Sequence, residues 1–251
     1  MLPTPDLLAV IFDVDGTIAD TEREGHLPAF NDAFLAHGLD VTWSPQEYGR
    51  LLRITGGRHR IAADLRARGF GDRAGELATE IHETKTELFR TRIVAGSVWP
   101  RPGLTDLVSS LVDDGIRIAI ATTGRAAWVE PLIARILGNG VAETMVTGDD
   151  VARLKPDPAA YQRALEQLDV RPENVLAIED SEIGLRAATA AGVATVVVTT
   201  DYTEDQDFVG AAVVRGSFVS PQPLDAASLR RIHRQWWLRC GHPPGSHHEL
   251  R

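Results

Sequence analysis

Two hydrophobic rhythms alternate along the chain. Leu7-Leu8-Ala9-Val10-Ile11-Phe12 is a short, continuous apolar run that breaks into Asp13-Val14-Asp15-Gly16-Thr17. Such a run predicts a strand buried on both faces. From His26 to His37, Leu27, Phe30, Ala33 and Phe34 recur at helical spacing, with Gly38 as a stop. Ser44-Pro45-Gln46-Glu47 reads as a capping box with proline at the first helical position, opening a helix with Tyr48, Leu51 and Leu52. Thr55-Gly56-Gly57-Arg58 interrupts it. Helical patterns resume through Ile61, Ala62 and Leu65 to Gly69, then through Leu77, Ile81, Leu88 and Phe89. Residues from about 20 to about 95 therefore predict an all-helical unit.

Beyond Trp99 the rhythm changes. Pro102 opens a helix with Leu104, Leu107, Val108 and Leu111, stopped by Gly115. Ile116 to Ala121 is an apolar strand ending at Thr122-Thr123-Gly124, followed by a helix with Val129, Leu132, Ile133 and Ile136. Thr144 to Thr147 predicts a short strand. Asp157-Pro158 caps a helix with Tyr161, Leu165 and Leu168. Val175 to Ile178 predicts a strand ending at Glu179-Asp180-Ser181. A small-residue helix runs to Gly192, and Ala194 to Val198 is another strand. This alternation predicts an α/β protein with a doubly wound parallel sheet. The helical unit, residues 20–95, is inserted after the first strand, and residues 1–19 and 96–251 form the core. Asp225 is placed to cap a last helix with Leu229, Ile232 and Trp236. The His242, His247 and His248 tail reads as a solvated end rather than a metal site.

Composition narrows the picture. With 251 residues, 43% hydrophobic, the chain can build a large core carrying a smaller unit. No apolar run is long enough to span a membrane, and no basic flank marks a signal peptide. The single cysteine, Cys240, rules out an intramolecular disulfide framework and fits a reducing compartment, so a cytoplasmic location is expected. A net charge of −9 argues against nucleic-acid binding, although a local arginine cluster can still attract a small anion. A monomer acting on a small molecule is expected.

The chemistry gathers at the strand ends, where open α/β sheets bind ligands. Asp13 and Asp15 end the first strand, Thr122 and Thr123 the second, and Glu179 and Asp180 a later one, while Lys155 precedes a helix. Each has a plainer reading. Asp15-Gly16 is also a hairpin turn signal, Thr122 and Glu179-Asp180-Ser181 also suit helix caps, and Lys155 also suits a solvated loop. The combination is far more specific. Four carboxylates in one cleft need a cation, and an oxygen-only donor set suits Mg²⁺. A threonine hydroxyl and a lysine ammonium suit the oxygens of a transferring phosphoryl group.

Asp13-Val14-Asp15-Gly16-Thr17, Thr122, Lys155 and Glu179-Asp180 resemble the four motifs of the haloacid-dehalogenase-like phosphohydrolases, over residues from about 7 to about 200. The helical insertion resembles their cap. The resemblance implies Asp13 as a nucleophile forming an aspartyl-phosphate, and Asp15 as the acid that protonates the leaving alkoxide and then activates water. It implies Mg²⁺ held by Asp13, the Asp15 carbonyl and Asp180, with Glu179 in support. The second acid favours phosphate over carbon–halogen chemistry, because a halide needs no proton.

Asp20-Thr21-Glu22-Arg23-Glu24-Gly25-His26, Ala29-Phe30-Asn31 and Thr55-Gly56-Gly57-Arg58 are similar to the CbbY group, whose substrate would be xylulose-1,5-bisphosphate. Arg50, Arg53, Arg58, His59 and Arg60 then surround the Thr55-Gly56-Gly57 turn as a candidate cradle for a second phosphate. Glu22 would accept from sugar hydroxyls, and Thr123 and Arg125 would line the core side. Gly124-Arg125-Ala126-Ala127-Trp128 departs from the run usual in that group. Two rival readings stand beside a phosphatase: a β-phosphoglucomutase-like isomerase and a non-enzymatic phosphosugar-binding module. The mutase carries a histidine in its cap linker. The sequence register puts Gly25 there, with His26 one residue on.

Overall fold

The computed structural model describes residues 4–54 and 56–240, the last without its side chain. Thr55 and the His242, His247 and His248 tail lie outside the described residues.

Strands β1 (Ala9–Phe12), β2 (Arg117–Ala121), β3 (Thr144–Val146), β4 (Val175–Glu179), β5 (Ala194–Val198) and β6 (Val213–Arg215) form one sheet in the order β3-β2-β1-β4-β5-β6. Every pairing is parallel. β1 lies between β2 and β4, so all four of its residues are fully buried, as its unbroken apolar run requires. The last strand, β6, is three residues long and partly exposed, and the short apolar run Ala211 to Val214 leads into it.

Side-chain alternation splits the core. Val10 and Phe12 face a cluster with Ile118, Ile120, Ile178 and Val198, covered by α5 (Leu104–Asp113), α6 (Ala126–Ile136) and α9 (Ala226–Cys240). Ala9 and Ile11 face the other side with Ala119, Ala121 and Ala177. Small residues there bring α7 (Ala159–Leu168) and α8 (Glu182–Ala190) close to the sheet, carrying Tyr161 to the buried ends of β1 and β4. Asp225 caps α9, accepting from the Ser228 amide at 2.7 Å.

Between β1 and α5 the chain is helical. A π-helical turn, Glu22–His26, leads into α1 (Leu27–Ala36), α2 (Pro45–Leu51), α3 (Gly57–Ala67) and α4 (Ala74–Val94). The Ser44/Glu47 capping box is complete, with both reciprocal hydrogen bonds formed. These helices bury a cluster of their own around Phe30, Phe34, Trp43, Tyr48, Ile61 and Leu65. Helix α4 serves two cores. Ala78 and Ile81 pack in the helical cluster, whereas Phe89 and Ile93 pack with Trp128 against the sheet. Where the chain leaves and re-enters the core, Ala19 pairs with both Asp15 and Pro100.

Candidate active site

The carboxyl ends of β1 and β4 place Asp13, Glu179 and Asp180 together, each with a carboxylate oxygen within 4.8 Å of the others. Lys155 reaches between them. Its Nζ is 2.6 Å from Asp13 Oδ1 and 2.6 Å from Glu179 Oε1. Tyr161 donates to the same Glu179 oxygen at 2.6 Å. Burial alone would push the Lys155 pKa down, but the two carboxylates outweigh it and hold it above the ordinary lysine value. Burial raises Asp13, opposed by Lys155 and reinforced by Glu179 and Asp15. Asp180 is raised by burial and by its neighbours Asp13 and Glu179, with Arg101 opposing.

Two glycines permit this crowding. Gly16 has φ +77°, and a Cβ there would lie 2.2 Å from Asp180 Oδ2. A Cβ on Gly184 would lie 1.9 Å from Glu179 Oε2. Both positions need the missing side chain as a matter of space, and Gly16 also for its left-handed backbone.

The residues fit Mg²⁺. The donors are all oxygen, and their spacing suits an octahedral shell whose ligands stand roughly 3–4 Å apart at the usual metal–oxygen distance of about 2.1 Å. Three acids facing one lysine leave negative charge that a divalent cation would neutralise. Glu179 already accepts from Lys155, Tyr161 and the Asp180 amide, which suits support of the site more than direct ligation.

Asp15 is turned away from this group. Thr21 donates to Asp15 Oδ1, and His26 Nε2 stands 4.0 Å from the same oxygen. Burial, then the charge of Glu22, raise the Asp15 pKa to about 7, against the hydrogen bond from Thr21. Two acids on one turn thus occupy different environments: Asp13 on an ammonium, Asp15 on a hydroxyl.

A cleft of about 490 Å³ opens above them. Asp13, Asp15, Lys155, Asp180 and Thr123 line its core side, and Glu22, Arg53 and Arg60 line the helical side. Thr122 is buried at the end of β2, where its hydroxyl accepts from the Gly124 amide at 3.0 Å and retains a proton to donate. Glu22 lies in the π-helical turn rather than in an open linker, and its carboxylate accepts from Tyr48.

Several expected contacts are not made. Arg50 does not line the cleft; with Arg23, Gly49 and Asp201 it lines an adjoining groove that shares Arg53 and Tyr202 with the cleft. Arg125 is exposed and paired with Asp149 at the start of α6, outside the cleft lining. Arg58 and His59 are exposed on the first turn of α3 and do not line the cleft either. Gly57 answers to packing, since a Cβ there would lie 2.9 Å from the His82 ring. Of the expected arginine cluster, Arg53 and Arg60 line the cleft, and Arg60 is braced by its Nε on the Ile54 carbonyl at 2.9 Å.

Sequence reasoning missed Lys85. It is buried on α4, 2.6 Å from His26 Nδ1, with its ammonium over the Phe30 and Phe89 rings. Burial lowers its pKa to about 8, with Glu22 and Asp15 opposing. Burial, then Lys85 and Arg60, hold the His26 pKa well below its ordinary value, so the ring is neutral. With Nδ1 accepting from Lys85, its proton belongs on Nε2, which faces Asp15. The signal was present: Ile81, Lys85, Phe89 and Ile93 recur every four residues, and a lysine interrupts that apolar stripe. Gly25 is buried against Phe89, and His26 faces the acid.

The haloacid dehalogenase-like hydrolase family model matches residues 7–192, a span that contains all these groups. The chain belongs to that family. Within it, the chain is 44% identical over 213 residues to protein CbbY of Cereibacter sphaeroides, covering 84% of this chain and 92% of that one. It is 38% identical over 245 residues to the plasmid CbbY of Cupriavidus necator, covering 90% and 96%. The crystal structure of a CbbY mutant from Rhodobacter sphaeroides in complex with xylulose-(1,5)-bisphosphate superposes with a TM-score of 0.73 at 41% identity, covering 87% and 97%. This haloacid dehalogenase-like hydrolase is a phosphoric monoester hydrolase.

Proposed function

We propose that the protein is a Mg²⁺-dependent sugar-phosphate phosphatase whose best substrate is a short sugar bisphosphate, xylulose-1,5-bisphosphate. The observation that carries this reading is the division of labour between Asp13 and Asp15. Asp13, oriented by Lys155, attacks phosphorus in line and forms an aspartyl-phosphate. Asp15, with its pKa raised to about 7, carries a proton near neutrality and gives it to the leaving alkoxide. It then takes a proton from the water that cleaves the acyl phosphate, returning Asp13 to its starting form. Mg²⁺, held by Asp13 and Asp180 with Glu179 in support, would neutralise charge on the phosphoryl oxygens. Thr122 and Lys155 supply donors for the same oxygens.

A bisphosphate suits the cationic groups on the helical side. Arg60 lines the cleft, and the buried Lys85 ammonium adds positive charge behind it. Residues 20–95 act as a cap that closes over the seated substrate, with hinges near Ala19-Asp20-Thr21 and Val94-Ala95-Gly96. Similarity to CbbY, with its xylulose-(1,5)-bisphosphate complex, supports the choice of sugar.

The test measures phosphate released from xylulose-1,5-bisphosphate and from xylulose 5-phosphate, with Mg²⁺ and with a chelator. Expected are Mg²⁺-dependent turnover and at least a tenfold preference in kcat/KM for the bisphosphate. Equal rates on both sugars would remove the bisphosphate reading, and full activity in the chelator would remove the metal.

A mutase is the second reading, because His26 does face Asp15. Scoring sugar-phosphate isomers beside free phosphate separates the two. Stoichiometric release without isomerisation identifies the phosphatase.

A further inference from the structure

Arg101 lies outside every motif described above, yet it touches the catalytic turn. It follows Pro100, where the chain returns from the helical insert, and its amide donates to the Ile18 carbonyl at 2.9 Å. Its guanidinium spreads over three backbone carbonyls. Nη1 donates to Gly16 and to Val198, both at 2.6 Å, and Nη2 to Thr199 at 2.7 Å. The Phe218 ring covers it, 5.3 Å from centroid to guanidinium carbon.

These partners belong to separate strands. Gly16 follows β1, whereas Val198 ends β5 and Thr199 follows it, and β4 runs between those strands with Asp180 as its next residue. Arg101 therefore braces the catalytic turn to β5 across the end of the strand that delivers Asp180. The brace closes on a site with no slack, since Gly16 approaches Asp180 closely enough to exclude a β-carbon.

We propose that Arg101 is a positioning residue for the Mg²⁺ site, holding the Asp13–Gly16 turn at the correct distance from Asp180. This rests on the metal reading above. A planar guanidinium can serve several carbonyls at fixed angles and keeps its charge when buried. An ammonium on a flexible stem keeps the charge but not the fork. Arg101→Lys thus separates geometry from electrostatics.

Mg²⁺ binding, measured by calorimetry without substrate, compares the unaltered protein, Arg101→Lys and Arg230→Lys. Arg230 is the structural control. It also donates to backbone carbonyls, Leu7 at 3.0 Å and Asp114 at 3.3 Å, but it joins α9 to α5 away from the site. Expected is a Kd for Mg²⁺ raised about tenfold or more in Arg101→Lys and unchanged in Arg230→Lys, at a temperature where melts show both folded. The Mg²⁺ concentration giving half-maximal phosphate release should rise by the same factor in Arg101→Lys, and saturating Mg²⁺ should restore most of kcat. An Arg101→Lys Kd within twofold of the unaltered protein overturns the inference and leaves the metal reading standing. Equal weakening in Arg230→Lys overturns it too, as general loosening. An unaltered protein that binds no Mg²⁺ overturns the metal reading and this inference with it.

Discussion

Replacing Asp15 by asparagine should abolish rapid turnover and yet make the protein more stable in alkaline solution. The carboxyl is three-quarters buried, with 26% of the side chain exposed, and its pKa rises from the ordinary 3.8 to about 7. A raised carboxyl pKa means that the fold prefers the neutral acid. That preference is harmless below pH 3.8, where the unfolded chain is protonated too. It becomes a growing penalty as pH climbs, and it levels off above pH 7. At 1.36 kcal/mol per unit, the full shift corresponds to about 4 kcal/mol at pH 8 and to about 1.6 kcal/mol at pH 5. Water on the exposed quarter screens the charge, so roughly half of each figure is a reasonable lower bound. Asparagine is neutral at every pH and can still accept from Thr21. Asp15→Asn should therefore gain roughly 2–4 kcal/mol at pH 8 and about 1 kcal/mol at pH 5. In a domain of this size that is a rise in Tm of roughly 4–15 °C at pH 8 and a few degrees at pH 5. The assay is a pair of thermal melts of each protein at the two pH values, with a chelator present to remove metal. Phosphate release should meanwhile fall by roughly 10²-fold or more, the scale of general acid–base catalysis. A gain independent of pH, or no gain at pH 8, would refute the reasoning that Asp15 is held neutral by its surroundings.

Other perturbations follow from the same geometry. Asp13→Asn should abolish turnover, because an amide is a poor nucleophile, and no phosphoenzyme should be trapped on rapid acid quench. Gly16→Ala should weaken Mg²⁺ binding at least tenfold by calorimetry, since the new methyl must displace the Asp180 carboxylate. Arg60→Ala should lower kcat/KM for the bisphosphate by about 2–4 kcal/mol and leave p-nitrophenyl phosphate nearly unchanged, whereas Arg58→Ala should change neither, since Arg58 does not line the cleft.

The sequence by itself determined the sheet-building core, the helical insertion and the acids at the strand ends. These rest on short-range information. The apolar run Leu7 to Phe12 requires burial on both faces wherever it sits, and Ser44 and Glu47 cap α2 with bonds that span three residues. An acid that follows a buried parallel strand emerges at the sheet's carboxyl edge, so Asp13 and Asp180 meet once the strand order is set. Tertiary structure alone decided which helical side chains reach that edge. Arg50, Arg53, Arg58 and Arg60 cluster within eleven residues in the sequence, but the packing of α2 and α3 puts Arg53 and Arg60 in the cleft lining, Arg50 in the adjoining groove and Arg58 in solvent. Lys85 meets His26 across 59 positions, and Arg101 meets Thr199 across 98. Contacts of that range depend on how whole elements pack, and no local spacing encodes which atoms will then be neighbours.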